Sequence, residues 1–169
     1  TKAKAEMAGV NEVTLFRHFG TKEQLAKAIM DQYGGAAIST NIEDRLSGNL
    51  KQDLIMLGTV FLKVMTERRD AIKMALCESG RFPEFREVVV ENPRQLRLML
   101  ARYFNRKIKA GEIESGHTEL MAQAFLGFFF SNTVLEGFFQ DSLHPQITAD
   151  DLVEQYVSFF IEGIRKKED

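Results

Sequence analysis

Ala8-Gly9-Val10-Asn11-Glu12-Val13-Thr14-Leu15-Phe16-Arg17-His18-Phe19-Gly20-Thr21-Lys22 is the stretch that decides how this chain is read. Gly9 follows a short helical run, 2–8, and suits the left-handed conformation that closes a helix. Val10 can then tuck into the corner. Asn11 is a preferred N-cap, because its side chain accepts a backbone N–H of the helix it opens. That helix, 12–18, carries Leu15 and, four residues on, Phe19 as its inward stripe. Glu12, Val13, Phe16 and Arg17 are left pointing elsewhere. Two short helices joined by a glycine-containing turn form the motif whose second helix enters a DNA major groove.

Outward from this stretch the pattern is helical nearly everywhere. Thr21 can cap a long helix, 22–46, with Gln24 completing a capping box, and Gly34-Gly35 predicts a bend or break within it. Further helices are expected at 49–67, 70–80, 84–109, 117–140 and 149–166. Leu50, Leu54, Leu57, Phe61, Val64 and Met65 form the stripe of the first of these. Phe82-Pro83 and Glu91-Asn92-Pro93 are expected to interrupt the chain, and Ala110-Gly111-Glu112 with Gly116 marks a turn. Val88 to Val90 could be a strand in isolation but has no partner strand, so helix or loop is expected there. The fold class is therefore all-α.

The last two helices differ from the rest. Residues 117–140 are apolar almost all round, and such a helix must be covered on every side. The final helix, capped by Thr148 with Asp151, shows two stripes: Leu152, Tyr156 and Phe159 on one side, and Val153, Val157, Phe160 and Ile164 on the other. Together they offer more apolar surface than one core needs, which points to a homodimer through these two helices. The alternative is that both form the centre of a large monomeric bundle.

Bulk properties exclude several classes. At 169 residues with 44% hydrophobic side chains, the chain can bury a substantial core. Its net charge of −2 does not announce nucleic acid. The first 35 residues carry five basic side chains (Lys2, Lys4, Arg17, Lys22, Lys27) against four acidic ones (Glu6, Glu12, Glu23, Asp31), a weak footprint for a DNA reader. A single cysteine, Cys77, excludes an intrachain disulfide framework, fits a reducing cytoplasm and reads as an inert buried thiol. No signal peptide is visible, and the apolar run from Ala124 to Phe130 falls far short of the roughly 20 residues that span a bilayer. A soluble, cytoplasmic protein with no membrane partner is expected. His18, His117 and His144 show no metal spacing, and no nucleophile triad, phosphate loop or catalytic carboxylate pair is apparent. The sequence thus points to no catalytic residues, no metal, no cofactor and no enzyme.

At its N-terminus the chain resembles the tetracycline-repressor-type (TetR/AcrR) family of bacterial transcriptional regulators. That family's signature is an Ala-Gly-Val turn, a Ser-x-x-Thr-Leu-Tyr-x-His-Phe recognition helix and a Ser-Lys-Glu start to the linking helix. Here Ala8-Gly9-Val10, Asn11-x-x-Thr14-Leu15-Phe16-Arg17-His18-Phe19 and Thr21-Lys22-Glu23 match in order without gaps, over about a fifth of the chain. The resemblance implies a helix-turn-helix DNA-binding domain at 1–35, truncated before its first helix, and a larger helical-bundle ligand-binding and dimerisation domain at 36–169. It further implies a dimer bound to double-stranded operator DNA and controlled by a small-molecule effector. By position, Asn11, Thr14, Phe16, His18 and Lys22 would lie at or near the DNA backbone, with Glu12, Val13 and Arg17 closest to base edges. Phe16 replaces the usual Tyr, so a phenolic hydrogen bond to phosphate is lost. Lys4 stands where the family has an apolar residue.

Phe61, Met65, Phe104, Phe125, Phe128 and Phe129 could line an apolar effector cavity, with Asn132 and Glu136 as its polar anchors. For each Phe the competing reading is ordinary core. Glu136 could be the counter-ion of a cationic ligand, pair with an arginine or face solvent. The expected function is a DNA-binding transcriptional repressor released from its operator by a small apolar or amphipathic ligand. The rival readings are a small helical ligand-binding or enzymatic module with an incidental helix-turn-helix resemblance, and a dimeric interaction protein without DNA affinity.

Overall fold

The computed structural model describes Arg17, Gly20, Thr21, Gln24 and residues 42–80, 92–139 and 146–165. The predicted helix 2–8, the Gly34-Gly35 bend, the Phe82-Pro83 interruption and Val88 to Val90 lie outside these residues. The fold is all-α. Its described elements are a 3-10 turn, Glu43–Arg45, followed by α1 (Leu50–Glu67), α2 (Arg69–Glu78), α3 (Asn92–Lys109), α4 (Thr118–Phe139) and α5 (Ala149–Ile164). Each of these five helices falls within a residue or two of an expected one, except that α3 is described only from Asn92. Pro93 occupies its first turn, where a missing N–H costs nothing. Residues 43–45 form a single 3-10 turn, whereas the periodicity predicts an α-helix reaching 46.

Local chemistry explains the helix starts. The Asn49 side chain accepts the Gln52 N–H at 3.1 Å and opens α1. Thr148 opens α5 by accepting the Asp151 N–H at 3.1 Å, while its hydroxyl donates to the Asp151 carboxylate at 2.7 Å. Gly111, at φ 73°, turns the chain out of α3.

Packing centres on α4, which lies against α1, α2 and α3, while α5 closes over α1. The buried face of α4 runs through Ala122, Phe125, Phe129, Thr133 and Gly137 at helical spacing. On α1 the inward stripe is Leu54, Leu57, Phe61 and Met65, as its periodicity predicts. Gly58 lies on the same side. A Cβ there would sit 2.9 Å from a Phe129 ring carbon and 3.0 Å from Val153, so its absence lets α1, α4 and α5 meet closely. Of the two stripes on α5, Val153, Val157 and Ile164 are buried, whereas Phe159 stands 70% exposed. Cys77 is exposed, correcting the expectation of a buried thiol; it follows the buried Ala75 and falls on the outer side of α2. Among the described residues, no helix is long and apolar enough to cross a membrane.

Candidate functional site

At the N-terminal end, Arg17 is helical and exposed. The turn behind it is built twice over from sequence. Gly20 takes φ 76°, a left-handed conformation open to glycine, and a Cβ there would collide with the Gln24 amide. The capping box then forms as its residue types predict: Gln24 N–H donates to Thr21 Oγ1 at 3.2 Å, and Thr21 N–H donates to Gln24 Oε1 at 2.9 Å. Asn11, Glu12, Val13, Thr14, Phe16, His18 and Lys22 lie outside the described residues.

In the bundle the phenylalanines converge. Phe61 meets Phe129 edge-on at 6.3 Å, Phe125 meets Phe129 at 5.5 Å, and Phe128 meets Phe129 at 5.3 Å. Phe104 joins through Phe160, which lies 5.8 Å from it and 5.2 Å from Phe125. Tyr156 stacks flat on Phe128 at 3.9 Å, and its hydroxyl donates to the Ala124 carbonyl at 2.8 Å. Burial pushes the Tyr156 phenol up to about 12. Met65 belongs to the same core, Asn132 is buried and Glu136 is half-buried. Thus four of the six apolar residues expected around an effector, Phe61, Phe125, Phe128 and Phe129, meet in an aromatic seam that Tyr156 and Phe160 from α5 complete, and Phe104 joins it through Phe160.

This seam is filled. The gap beside it holds about 10 Å³, room for one water at most, and is lined by Ile42, Leu57, Phe61, Leu96, Met99, Leu100, Phe125 and Leu126. Only Phe61 and Phe125 of the expected cavity residues border it. Ile42 is the informative neighbour: it lies on the segment entering the bundle and is 3% exposed.

A second buried centre carries no phenylalanine. Asp53, 1% exposed, lies among the apolar residues of α1. Its carboxylate accepts from Ser47 N–H at 2.7 Å, Ser47 Oγ–H at 2.8 Å, Gly48 N–H at 3.1 Å and Tyr103 O–H at 2.9 Å. Lys107, one turn beyond Tyr103, donates to the Gly48 carbonyl and to Glu112. Burial, and then the Asp53 carboxylate, hold the Tyr103 phenol above its ordinary range. This polar clamp, with the exposed Glu43–Arg102 pair at 3.4 Å, pins the segment 42–49 to α3. Sequence reasoning missed it, although a carboxylate between Leu50 and Leu54 on an inward face was its visible signal.

Several large apolar side chains of the last two helices stand exposed: Leu120, Leu135, Phe138 and Phe139 on α4 and Phe159 on α5. Among the described residues no group of three or more metal-ligating side chains gathers.

Comparison with known proteins follows this division. Residues 3–29 match the family described as bacterial regulatory proteins, tetR family. Residues 52–163, more than half of the chain, match the C-terminal domain of AefR-like transcriptional repressors. The chain is 29% identical to an uncharacterized HTH-type transcriptional regulator, YvkB, of Bacillus subtilis (strain 168), over 97% of this chain and 85% of that protein. It shares the fold of the flavonoid-responsive regulator FrrA, with a TM-score of 0.61 and 22% identity over 97% of this chain and 85% of that one.

Proposed function

Because the chain belongs to the TetR family of bacterial regulatory proteins, we propose that it acts as a homodimeric repressor released from operator DNA by a small apolar or amphipathic molecule. That it is a transcriptional regulator with a DNA-binding domain follows from the family. The sign of regulation takes support from the repressor family matched by residues 52–163. In this reading 1–35 forms the DNA-binding domain, 36–169 the ligand-binding and dimerisation domain, and the protein works in the cytoplasm.

The observation that carries the proposal is the position of Ile42. It leads out of the N-terminal region and sits in the gap formed by Phe61, Leu96, Met99, Leu100 and Phe125. A ligand that parts the aromatic seam displaces these side chains and moves the segment 42–49 with them. The ligand acts only through its preference for the released conformation; equal affinity for both states shifts nothing. The dimer closes over Leu135, Phe138, Phe139 and Phe159, and holds two recognition helices against half-sites about 34–36 Å apart. Asn11, Thr14, Phe16, His18 and Lys22 then meet the backbone, and Glu12, Val13 and Arg17 face base edges. Phe61, Met65, Phe104, Phe125, Phe128 and Phe129 wrap the ligand, with Asn132 and Glu136 at its polar atoms.

The direct test is binding to the DNA upstream of the protein's own gene, titrated with salt. Affinity falls steeply as salt rises through counterion release; absence of binding sinks the repressor reading. Arg17→Ala is expected to relax preference at one base pair, whereas uniform weakening across sequences makes Arg17 a phosphate contact. Phe139→Glu combined with Phe159→Glu is expected to yield monomers by analytical ultracentrifugation and to abolish operator binding.

A further inference from the structure

A second cleft lies between α2 and α4, lined by Arg69, Ile72, Lys73, Thr133, Val134 and Gly137. Thr133 is 2% exposed, and its hydroxyl has no hydrogen-bond partner. Buried hydroxyls are nearly always paired, so an orphan calls for a reason. Water does not supply one, because the closed cleft has no room for a water molecule.

The cleft is also basic against the local grain. Arg69 is the first residue of α2 and Lys73 stands one turn later on the same side. Two cations in this position oppose the positive end of the helix dipole, which favours an anion. Asp70, in the same turn, is exposed. The Lys73 ammonium donates to the Gly137 carbonyl at 3.0 Å, lies 5.1 Å from the centre of the Phe138 ring, and keeps two further donors. The stem of Arg69 lies across Gly137, so close that a Cβ there would come within 2.8 Å of Arg69 Cγ. A guest enters only if that half-buried arginine turns aside.

We propose that this cleft receives the carboxylate of an amphipathic small molecule, held by Arg69 and Lys73 and accepting the Thr133 hydroxyl proton in a hydrogen bond. The inference deepens the effector reading above and rests on it for its biological role. Phe125, Phe129, Thr133 and Gly137 recur at four-residue spacing along one face of α4. A carboxylate at Thr133 therefore directs the rest of its molecule along that face, toward the aromatic seam.

Calorimetric titration of the whole protein with sodium octanoate, with 1-octanol and octylamine as matched controls, tests this. Octanoate is expected to bind more tightly than either control. Thr133→Val, which keeps the shape and removes the hydroxyl, and Arg69→Gln are each expected to weaken octanoate about tenfold, leaving octanol unchanged. Equal affinity for octanoate and octanol in the wild type overturns the proposal, as does an undiminished octanoate preference in both variants. Operator binding measured in parallel separates the two readings. Octanoate that depends on Thr133 and Arg69 yet leaves the DNA complex intact upholds the cleft and overturns effector release.

Discussion

The aromatic seam and the polar clamp both have buried centres and share α1 and α3, yet they hold the bundle by different means. Phe61, Phe104, Phe125 and Phe129 are stabilised by area removed from water, and edge-on ring contacts tolerate small shifts. Asp53 is stabilised by four donors whose positions are fixed within a few tenths of an ångström. On the proposed function, a ligand-released regulator, the seam would re-pack around a guest. The clamp, which can only be made or broken, would pass on the displacement, because it fastens the segment 42–49 to α3, whose Leu96, Met99 and Leu100 border the gap.

Truncation in the seam is the largest test of this contrast. Phe129→Ala is expected to cost about 3–5 kcal/mol in urea unfolding, since the wholly buried ring touches Phe61, Phe125, Phe128 and Tyr156. Phe129→Leu, by contrast, is expected to cost under about 1.5 kcal/mol, because shape rather than direction is what the seam requires. The clamp reverses that tolerance. Asp53→Ala leaves two backbone N–H groups and the Tyr103 hydroxyl unpaired and is expected to cost about 3 kcal/mol. The isosteric Asp53→Asn still costs about 2 kcal/mol, because an amide nitrogen then faces a donor. Should Asp53→Asn prove as mild as Phe129→Leu, the distinction between the two centres fails.

The same contrast decides what was legible in the sequence. Periodicity places α1, α4 and α5 within a residue or two, and on α1 it names Phe61 as inward, because burial of an amphipathic stripe is a local property; on α4, apolar almost all round, it singles out no inward face. The capping pairs Thr21/Gln24 and Thr148/Asp151 are equally local and are found as expected. Ring partners are not local: Tyr156 and Phe160 complete the seam only once α5 has folded over α1 and α4. The clamp is less local still, since Tyr103 O–H reaches Asp53 across 50 residues of chain and Lys107 reaches Gly48 across 59. No spacing rule announces such a pairing. The orphan hydroxyl of Thr133 is hidden for a further reason, because a threonine in an apolar helix reads as packing until its missing partner is seen.

Each centre also contains one tyrosine, and alkaline pH gives the finest comparison between them. Tyr156 of the seam is pushed up to about 12 from an ordinary 10.0 by burial, and Tyr103 of the clamp higher still by burial and then by Asp53. Above pH 10 the unfolded chain loses these phenolic protons while the folded protein keeps them. The unfolded state then binds fewer protons than the native one, so stability falls as pH rises. Below pH 10 neither group contributes a slope. Urea midpoints measured between about pH 9 and 11.5 should therefore drop more steeply for the wild type than for Tyr156→Phe or Tyr103→Phe. The relief given by Tyr156→Phe should fade as pH nears 12, where the folded phenol itself ionises; that given by Tyr103→Phe should persist. Identical slopes would mean that water reaches both hydroxyls, and with it the polar clamp would lose its claim to be a dry, rigid joint.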